Sequence, residues 1–422
     1  MPSPTPTKTL WTEIAEIVGA AHAREAQPDD CIADAPVRMI AEPGNAEEIA
    51  AILSRCSKAG IAVIPRGGGT KSGWGNPARA ANLILSTQRL KRLVEHAHSD
   101  LTATVEAGCT VANFQQALGA KGQRLALDPL WPERATIGGI LATNDSGSLR
   151  VRFGALRDLI IGVTVVLPDG TIAKSGGKVV KNVAGYDLQK LMTGSFGTLG
   201  IITQATFRLY PLPNHVRSLT LTFADADSAN QLALKLLDSQ LTYTGIQLRA
   251  EDQRFQIDVR FEGSAEALDA QLRQFEALTK DSSLLGQSND VWGAREALFD
   301  DRSAAVLKIS VLPSQLAWNA NLIRSTCAAQ DIRWTYVAQA FGIGVLKLKA
   351  AQEEKLLPVI QSLRTAVESQ RGSVVVLQIP SPLRSRVDVW GAVPDSIDLM
   401  RRVKQRFDPA GILNPGRFVG GI

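Results

Sequence analysis

Ten consecutive residues constrain this chain more than any others: Arg66-Gly67-Gly68-Gly69-Thr70-Lys71-Ser72-Gly73-Trp74-Gly75. They follow Ile61-Ala62-Val63-Ile64, a buried-strand pattern that Gly60 separates from a helix. In that helix Asn45 and Glu48 form a cap with a reaching carboxylate, and Ile49, Ile52, Leu53 and Cys56 recur at helical spacing. A helix feeding a strand that ends in glycines predicts an α/β arrangement with the loop at a strand terminus. Glycine there allows left-handed backbone and close backbone approach, as a cradle of N–H donors around a phosphate-bearing ligand requires. A flexible surface loop is the plain alternative. The loop is not a Walker A, because Lys71 follows Thr70 rather than glycine, and no G-x-G-x-x-G opens a helix as in a Rossmann site.

Two further stretches repeat this chemistry. Residues 136–147, with Gly138 and Gly139 among hydroxyl and amide side chains, read as a second glycine-rich loop. Residues 191–203 set Gly194, Gly197 and Gly200 among Thr193, Ser195, Thr198 and Thr203. One such stretch is an ordinary turn; three in one domain, each beside a strand, predict an extended ligand threaded between them. Composition mostly excludes. With 45% hydrophobic and 21% charged residues the chain is globular, and 422 residues call for two or three domains. The net charge of +5 contains no basic run, so no nucleic-acid partner is predicted. Cys31, Cys56, Cys109 and Cys327 are too dispersed for a zinc ribbon, a redox pair or an iron–sulfur cluster, and fit a reducing compartment. Residues 1–6 lack a secretory pattern and no apolar run is long enough to cross a bilayer. These features predict a soluble, cytoplasmic protein without direct membrane insertion, any contact with the inner membrane being made through a partner.

Periodicity predicts helices over 9–19 and 111–118 and strands over 83–85 and 102–106. Residues 160–167 and 171–173 form a hairpin turned at Pro168-Asp169-Gly170. A strand over 200–209 runs into Pro211-Leu212-Pro213, which sets a domain boundary. Beyond it come a strand at 218–223, a helix at 227–237 capped by Asp227, strands at 243–249 and 255–261, and a helix at 265–278. The pattern repeats as strand 305–311, helix 314–328, strands 334–340 and 344–349, helix 352–370 and strand 373–378. Each half runs β-α-β-β-α-β or nearly so, which predicts two ferredoxin-like units in one antiparallel sheet with helices on one face. The expected domains are 1–212 and 213–385, with 386–422 returning to the first.

At this point the sequence resembles the FAD-binding domain of the vanillyl-alcohol oxidase / p-cresol methylhydroxylase (PCMH) superfamily. The likeness rests on residues 65–75, 136–147, Arg152-Phe153-Gly154 with Arg157-Asp158, residues 181–187, 194–203, and Phe407-Asp408-Pro409-Ala410-Gly411-Ile412-Leu413-Asn414-Pro415-Gly416. Within the superfamily it is similar to the FAD-binding subunits (E components) of bacterial multi-subunit glycolate dehydrogenases. The resemblance implies an α+β fold, a two-part FAD-binding domain of the PCMH type plus a ferredoxin-like cap. It implies that Arg66, Gly67, Gly68, Gly69, Thr70 and Ser72 surround the diphosphate. Thr136, Gly138, Gly139, Ala142, Asn144 and Ser146 would continue along diphosphate and ribityl chain. Gly197, Ile201 and Ile202 would contact flavin or adenine, and Asn414 would lie near the isoalloxazine ring. Some covalent members carry a flavin-linked His after the paired glycines of the first loop; Thr70 stands there, which implies non-covalent FAD.

The substrate side departs from the family. Related dehydrogenases carry several cap histidines that bind metal and act as base, whereas this chain has only His22, His96, His98 and His215. His96 and His98 form an H-x-H better read as a polar turn than as a metal site, since no further ligands cluster nearby; His215 reads as linker. Arg295, in Trp292-Gly293-Ala294-Arg295, resembles a family arginine near the substrate carboxylate; the alternative is a solvated Arg295 on a helix whose Trp292 and Leu298 are core. Lys308 and Arg249 read as exposed strand positions. The sequence therefore predicts an FAD-binding subunit that receives or relays electrons, with a histidine-bearing FAD subunit oxidising glycolate and an iron–sulfur subunit passing electrons onward. One rival is a self-sufficient FAD dehydrogenase of another hydroxy acid or alcohol, using Arg295 or Tyr186, although a buried structural hydroxyl better describes Tyr186. The other is a non-catalytic assembly subunit with structural FAD.

Overall fold

A computed structural model describes residues 8–32, 35–177, 186–279, 283–287 and 290–422. The chain divides into two units, one of residues 1–146, 154–212 and 393–422, the other of residues 147–153 and 213–392. Residues 147–153 thus go with the second unit, and the returning segment begins at Val393 rather than at 386. Residues 181–185 of the family-like stretch 181–187 lie outside the described residues.

In the first unit, α1 (Lys8–Val18) and α2 (Ala46–Ala59) pack on a sheet of β1 (Ala23–Glu25), β2 (Met39–Ala41), β3 (Val63–Arg66) and β4 (Leu83–Ser86). Its order is β1-β2-β4-β3, with β2, β4 and β3 parallel. The Asn45 side-chain Oδ1 accepts from Glu48 N–H at 2.8 Å, while the Glu48 carboxylate accepts from Gly44 N–H at 2.7 Å. Gly60, at φ 64°, stops the helix and turns the chain into β3. The buried stripe Ile49, Ile52, Leu53 and Cys56 faces the sheet, at roughly 1.5–3 kcal/mol for each large aliphatic side chain.

The second sheet of this unit is antiparallel, built from β5 (Leu93–Ala97), β6 (Thr102–Glu106), β8 (Ile160–Val166), β9 (Ile172–Gly176) and β10 (Ile201–Arg208) in the order β5-β6-β10-β8-β9. A short ribbon pairs β7 (Gln123–Arg124) with β11 (Tyr210–Pro211). Helix α3 (Val111–Gly119) shares this sheet's core through Phe114 and Leu118. The second glycine stretch is not a loop. Its centre forms helix α4 (Ile137–Thr143), capped by Thr136, whose Oγ1 accepts from Gly139 N–H at 3.4 Å. Two adjacent glycines cost a helix about 1 kcal/mol each, which is why the sequence reads as irregular; burial of Ile137, Ile140 and Leu141 outweighs that cost. Gly138 is needed for packing, since a Cβ there would lie 2.9 Å from the Ala107 Cβ.

The second unit is one antiparallel sheet of β12 (His215–Phe223), β13 (Tyr243–Glu251), β14 (Arg254–Gly263), β15 (Ser283–Gln287), β16 (Ala305–Ser310), β17 (Arg333–Gln339), β18 (Ile343–Lys349) and β19 (Ser373–Gln378). The order β15-β12-β14-β13-β17-β18-β16-β19 places two β-α-β-β-α-β halves edge to edge through β13 and β17. Helices Ala226–Leu237, Ala265–Leu278, Leu316–Ala328 and Leu356–Ser369 share one core with alternate strand residues such as Ile257, Val259 and Phe261. Three local expectations change. Asp225, not Asp227, caps the first helix, accepting from Ser228 N–H at 2.7 Å; two acids one residue apart offered the sequence two candidates. His215 opens β12 and is not linker. Arg249 is not an exposed strand position, because it makes a bidentate pair with the fully buried Asp258 (2.6 and 2.8 Å), and Lys308 is half-buried.

Candidate functional site

Strand β3 delivers the first glycine loop to a cleft of about 820 Å³, its open mouth included, lined by residues 64–72, Thr87, Thr136, Gly138, Gly139, Ala142, Thr143, Phe196, Gly197, residues 200–202, Asn414 and Arg417. The loops approach so closely that glycine is obligatory. A Cβ on Gly67 would lie 2.0 Å from Thr136 Oγ1, and one on Gly68 1.8 Å from the Arg134 carbonyl oxygen. Gly69 (φ 71°) and Gly197 (φ 67°) occupy left-handed backbone.

Two of the cations that line the cleft, Lys71 and Arg66, pair with acids. Lys71 reaches Asp145 at 3.1 Å, and both side chains are almost wholly buried. The ammonium also lies 5.5 Å from the Trp74 ring centre and 5.3 Å from that of Trp131. Asp145 accepts Leu130 N–H at 2.9 Å as well. On the other flank Arg66 pairs with Asp30 at 3.4 Å, and Asp30 binds Arg24 at 2.7 Å. The Arg24 hydrogen bond is the main reason the Asp30 carboxyl is held down to about 2.

The returning segment completes the cleft. Leu413 makes a parallel bridge to Val63, with Val63 N–H donating to the Ile412 carbonyl at 2.8 Å and Asn414 N–H to the Val63 carbonyl at 3.0 Å. Buried Asp408 accepts from the N–H groups of Ile412 and Leu413 and from Lys404, whose ammonium also donates to the carbonyls of Thr198 and Leu413. Arg417 donates to the carbonyls of Ser72 and Trp74 at 2.7 and 2.6 Å, so the tail also pins the first loop.

Comparison with known proteins agrees with this geometry. Residues 37–176 match the FAD binding domain family, and residues 392–418 match the C-terminal domain of FAD linked oxidases. The chain is an FAD-dependent oxidoreductase. It is 28% identical to the glycolate oxidase subunit GlcD of Bacillus subtilis over 414 residues, covering 89% of this chain and 87% of that one. It is also 28% identical to a D-lactate dehydrogenase of Archaeoglobus fulgidus, covering 90% and 91%. The crystal structure of p-cresol methylhydroxylase with substrate bound shares the fold, with a TM-score of 0.77 at 14% identity, over 97% of this chain and 96% of that one.

The cleft of this flavoprotein fits its cofactor. The glycines leave no side chain between the backbone and a ligand, and Asn414, only 4% exposed, keeps a buried amide oxygen without a hydrogen-bond partner among the described residues. Arg66, Gly67, Gly68, Gly69, Thr70, Ser72, Thr136, Gly138, Gly139, Ala142, Gly197, Ile201, Ile202 and Asn414 all line the cleft. Asn144 and Ser146 do not: Asn144 ends α4 in a left-handed turn, and helix formation carries the chain away beyond Thr143. Sequence reasoning missed Lys71, Thr87, Thr143, Phe196 and Arg417. A basic residue inside a glycine loop was the one available signal for Lys71; its partner Asp145 comes from far along the chain.

Other candidates lie elsewhere. Arg295 sits half-buried on a short helix, Ala294–Ala297, of the second unit. In the same unit Trp292 donates to Ser218 Oγ at 2.9 Å and carries Arg260 4.5 Å from its ring centre. Tyr186 is 92% exposed, not a buried hydroxyl. His96 shares a 2.8 Å hydrogen bond with Gln123, whose amide donates to the His98 carbonyl. Among the described residues no cluster of three or more metal-ligating side chains occurs, and no helix is long and apolar enough to cross a membrane.

Proposed function

We propose that this chain holds FAD non-covalently in the cleft and serves as the FAD-binding subunit of a glycolate (2-hydroxy acid) dehydrogenase complex. The glycine cradle carries the reading: backbone N–H groups of residues 67–70 meet the diphosphate, Gly138 and Gly139 leave it room at the start of α4, and Pro65, Phe196, Ile201 and Ile202 offer apolar wall to the rings. No His or Cys stands among the cleft-lining residues, which supports dissociable cofactor. Bound FAD supplies an acceptor of two electrons that can be passed on singly.

Two observations support electron relay rather than independent turnover. No histidine follows His215 in this sequence, and three cations on the polar face of the second unit's sheet are matched with acids. Arg249 binds Asp258, Arg260 lies 3.8 Å from Glu262, and Lys349 binds Asp301. A histidine-bearing FAD subunit would oxidise the hydroxy acid and an iron–sulfur subunit would carry electrons away. The relative named as a subunit, GlcD, supports such an assembly. The end-to-end match to a D-lactate dehydrogenase favours the rival, a self-sufficient dehydrogenase of another hydroxy acid. Stopped-flow absorbance of the FAD-loaded chain with glycolate or D-lactate separates them. Flavin bleaching only when partner subunits are added supports relay; rapid bleaching by the chain alone overturns it.

A further inference from the structure

The helix Ile397–Phe407 of the returning segment has two unlike sides. Ile397, Met400, Val403 and Phe407 recur every three or four residues and share one side, from which Val403 and Phe407 pack on the core of the antiparallel sheet. Lys404 beside them donates to the carbonyls of Thr198 and Leu413 at 2.9 Å each, next in the chain to Gly197 and Asn414 of the cleft. Leu399, Arg402 and Arg406, spaced i, i+3 and i+7, share the outer side. Leu399 is 55% exposed, and both arginines are exposed without an ion pair among the described residues. Nearby acids do not offset them: Asp395 and Asp398 stand at the helix start, where its dipole favours them, and Asp398 takes up Arg401 at 3.4 Å. The same surface continues past the helix, since Val393, 52% exposed, and Ile397 lie beside Gly420, and exposed Arg79 lies against Gly421. None of the eleven helical residues is buried. Helices in proteins gain most of their stability from a covered apolar face, so this one has surface left for a partner.

We propose that the outer side of this helix is the docking face for the electron-accepting subunit, which meets it with acidic side chains around an apolar spot. The inference rests on the relay reading. Charge selects the occupant: Arg402, Arg406 and Arg79 offer planar forks that suit carboxylates, and Leu399 stands between them as the apolar centre that protein interfaces carry. A bilayer suits it less, because adsorption takes an outward apolar face with about four to eight clustered cations, and here the apolar stripe turns to the protein's own core. Position agrees with electron transfer. A helix with its side chains is about 10–12 Å thick, so a subunit seated outside comes within one helix of the residues that adjoin the cleft. Each electron it takes there reduces one ferric iron of its cluster to ferrous; two leave per FADH⁻, with one proton passing to water.

The test follows binding of the FAD-loaded chain to the iron–sulfur subunit isolated from the native complex, by surface plasmon resonance at low and high salt. Reoxidation of the photoreduced flavin by that subunit is then timed. Arg402→Glu/Arg406→Glu should associate about 10- to 100-fold more slowly than wild type at low salt and nearly equally at high salt. Arg402→Gln/Arg406→Gln, which adds no negative charge to the helix end, should slow in the same direction by less. Leu399→Ser should keep the association rate and dissociate about 10-fold faster. Every variant should retain its FAD, and Lys355→Glu/Arg386→Glu, the same charge change on the second unit, should bind like wild type. Equal association rates for all, or equal slowing by the second-unit control, overturn the docking face. Sedimentation of wild type but not of Arg402→Glu/Arg406→Glu with phosphatidylserine vesicles, the association rates staying equal, gives the face to a membrane and overturns it too. Normal binding without reoxidation of the flavin, or a native complex without an iron–sulfur subunit, sinks the relay reading instead, and the proposal with it.

Discussion

Lys71 and Asp145 show what one pair of residues does for this cleft. Each would be costly alone in so buried a place; together, flanked by Trp74 and Trp131, they tie the first glycine loop to the segment that follows α4. Lys71→Met leaves Asp145 uncompensated and should cost about 3–5 kcal/mol of stability in urea unfolding, with part recovered in the Lys71→Met/Asp145→Asn double variant. The glycines are just as exacting. Gly68→Ala forces a methyl against the Arg134 carbonyl, an overpacking of about 1–3 kcal/mol, and the purified protein should carry markedly less FAD by its 450-nm absorbance. Asp30 gives a pH signature. Its folded pKa, about 2, lies below the ordinary carboxylate value, so its hold on Arg24 and Arg66 is complete above that ordinary value and is lost as pH falls towards 2. FAD fluorescence should therefore rise on acidification between about pH 4 and pH 2, and Asp30→Asn should weaken FAD retention at neutral pH and flatten that acid step.

Among the elements, strand β3 with its following loop, and the tail helix Ile397–Phe407 with its following turn, work as one device. Lys404 holds that device shut through Asp408 and two carbonyls, and burial lowers its ammonium pKa against the pull of Asp408. Lys404→Met should release residues 408–418, seen as lost amide-exchange protection in that segment while α2 stays protected. What the sequence disclosed follows from range. The α2 cap lies within four residues, and the period-two strands of the second unit carry their pattern locally, so both were legible. Helix α4 was not, because two glycines hide a helix whose stability comes from the core it enters. The Asp145 partner of Lys71, the Arg417 contacts to the first loop and the burial of Arg249 against Asp258 depend on residues brought together only by folding. A resemblance could point to Asn414, but no local pattern could show its unpaired oxygen.

At the scale of the molecule, the unit that bears the cleft is assembled from residues on both sides of the other one. Ligand that binds only the folded state stabilises it by about 2.7 kcal/mol at a hundredfold excess over Kd. Calorimetry should accordingly show the unfolding of the cleft-bearing unit moving to higher temperature as FAD is added. The same interleaving imposes an order on synthesis. At about 5–20 residues per second, the ribosome finishes the whole inserted unit before Asp408 and Asn414 exist. The glycine loop must wait, exposed, for its last partner, so a prematurely terminated chain can hold a folded second unit and still take up no flavin. Colour would then be acquired only by polypeptides translated through Arg417, a built-in inspection of the finished product.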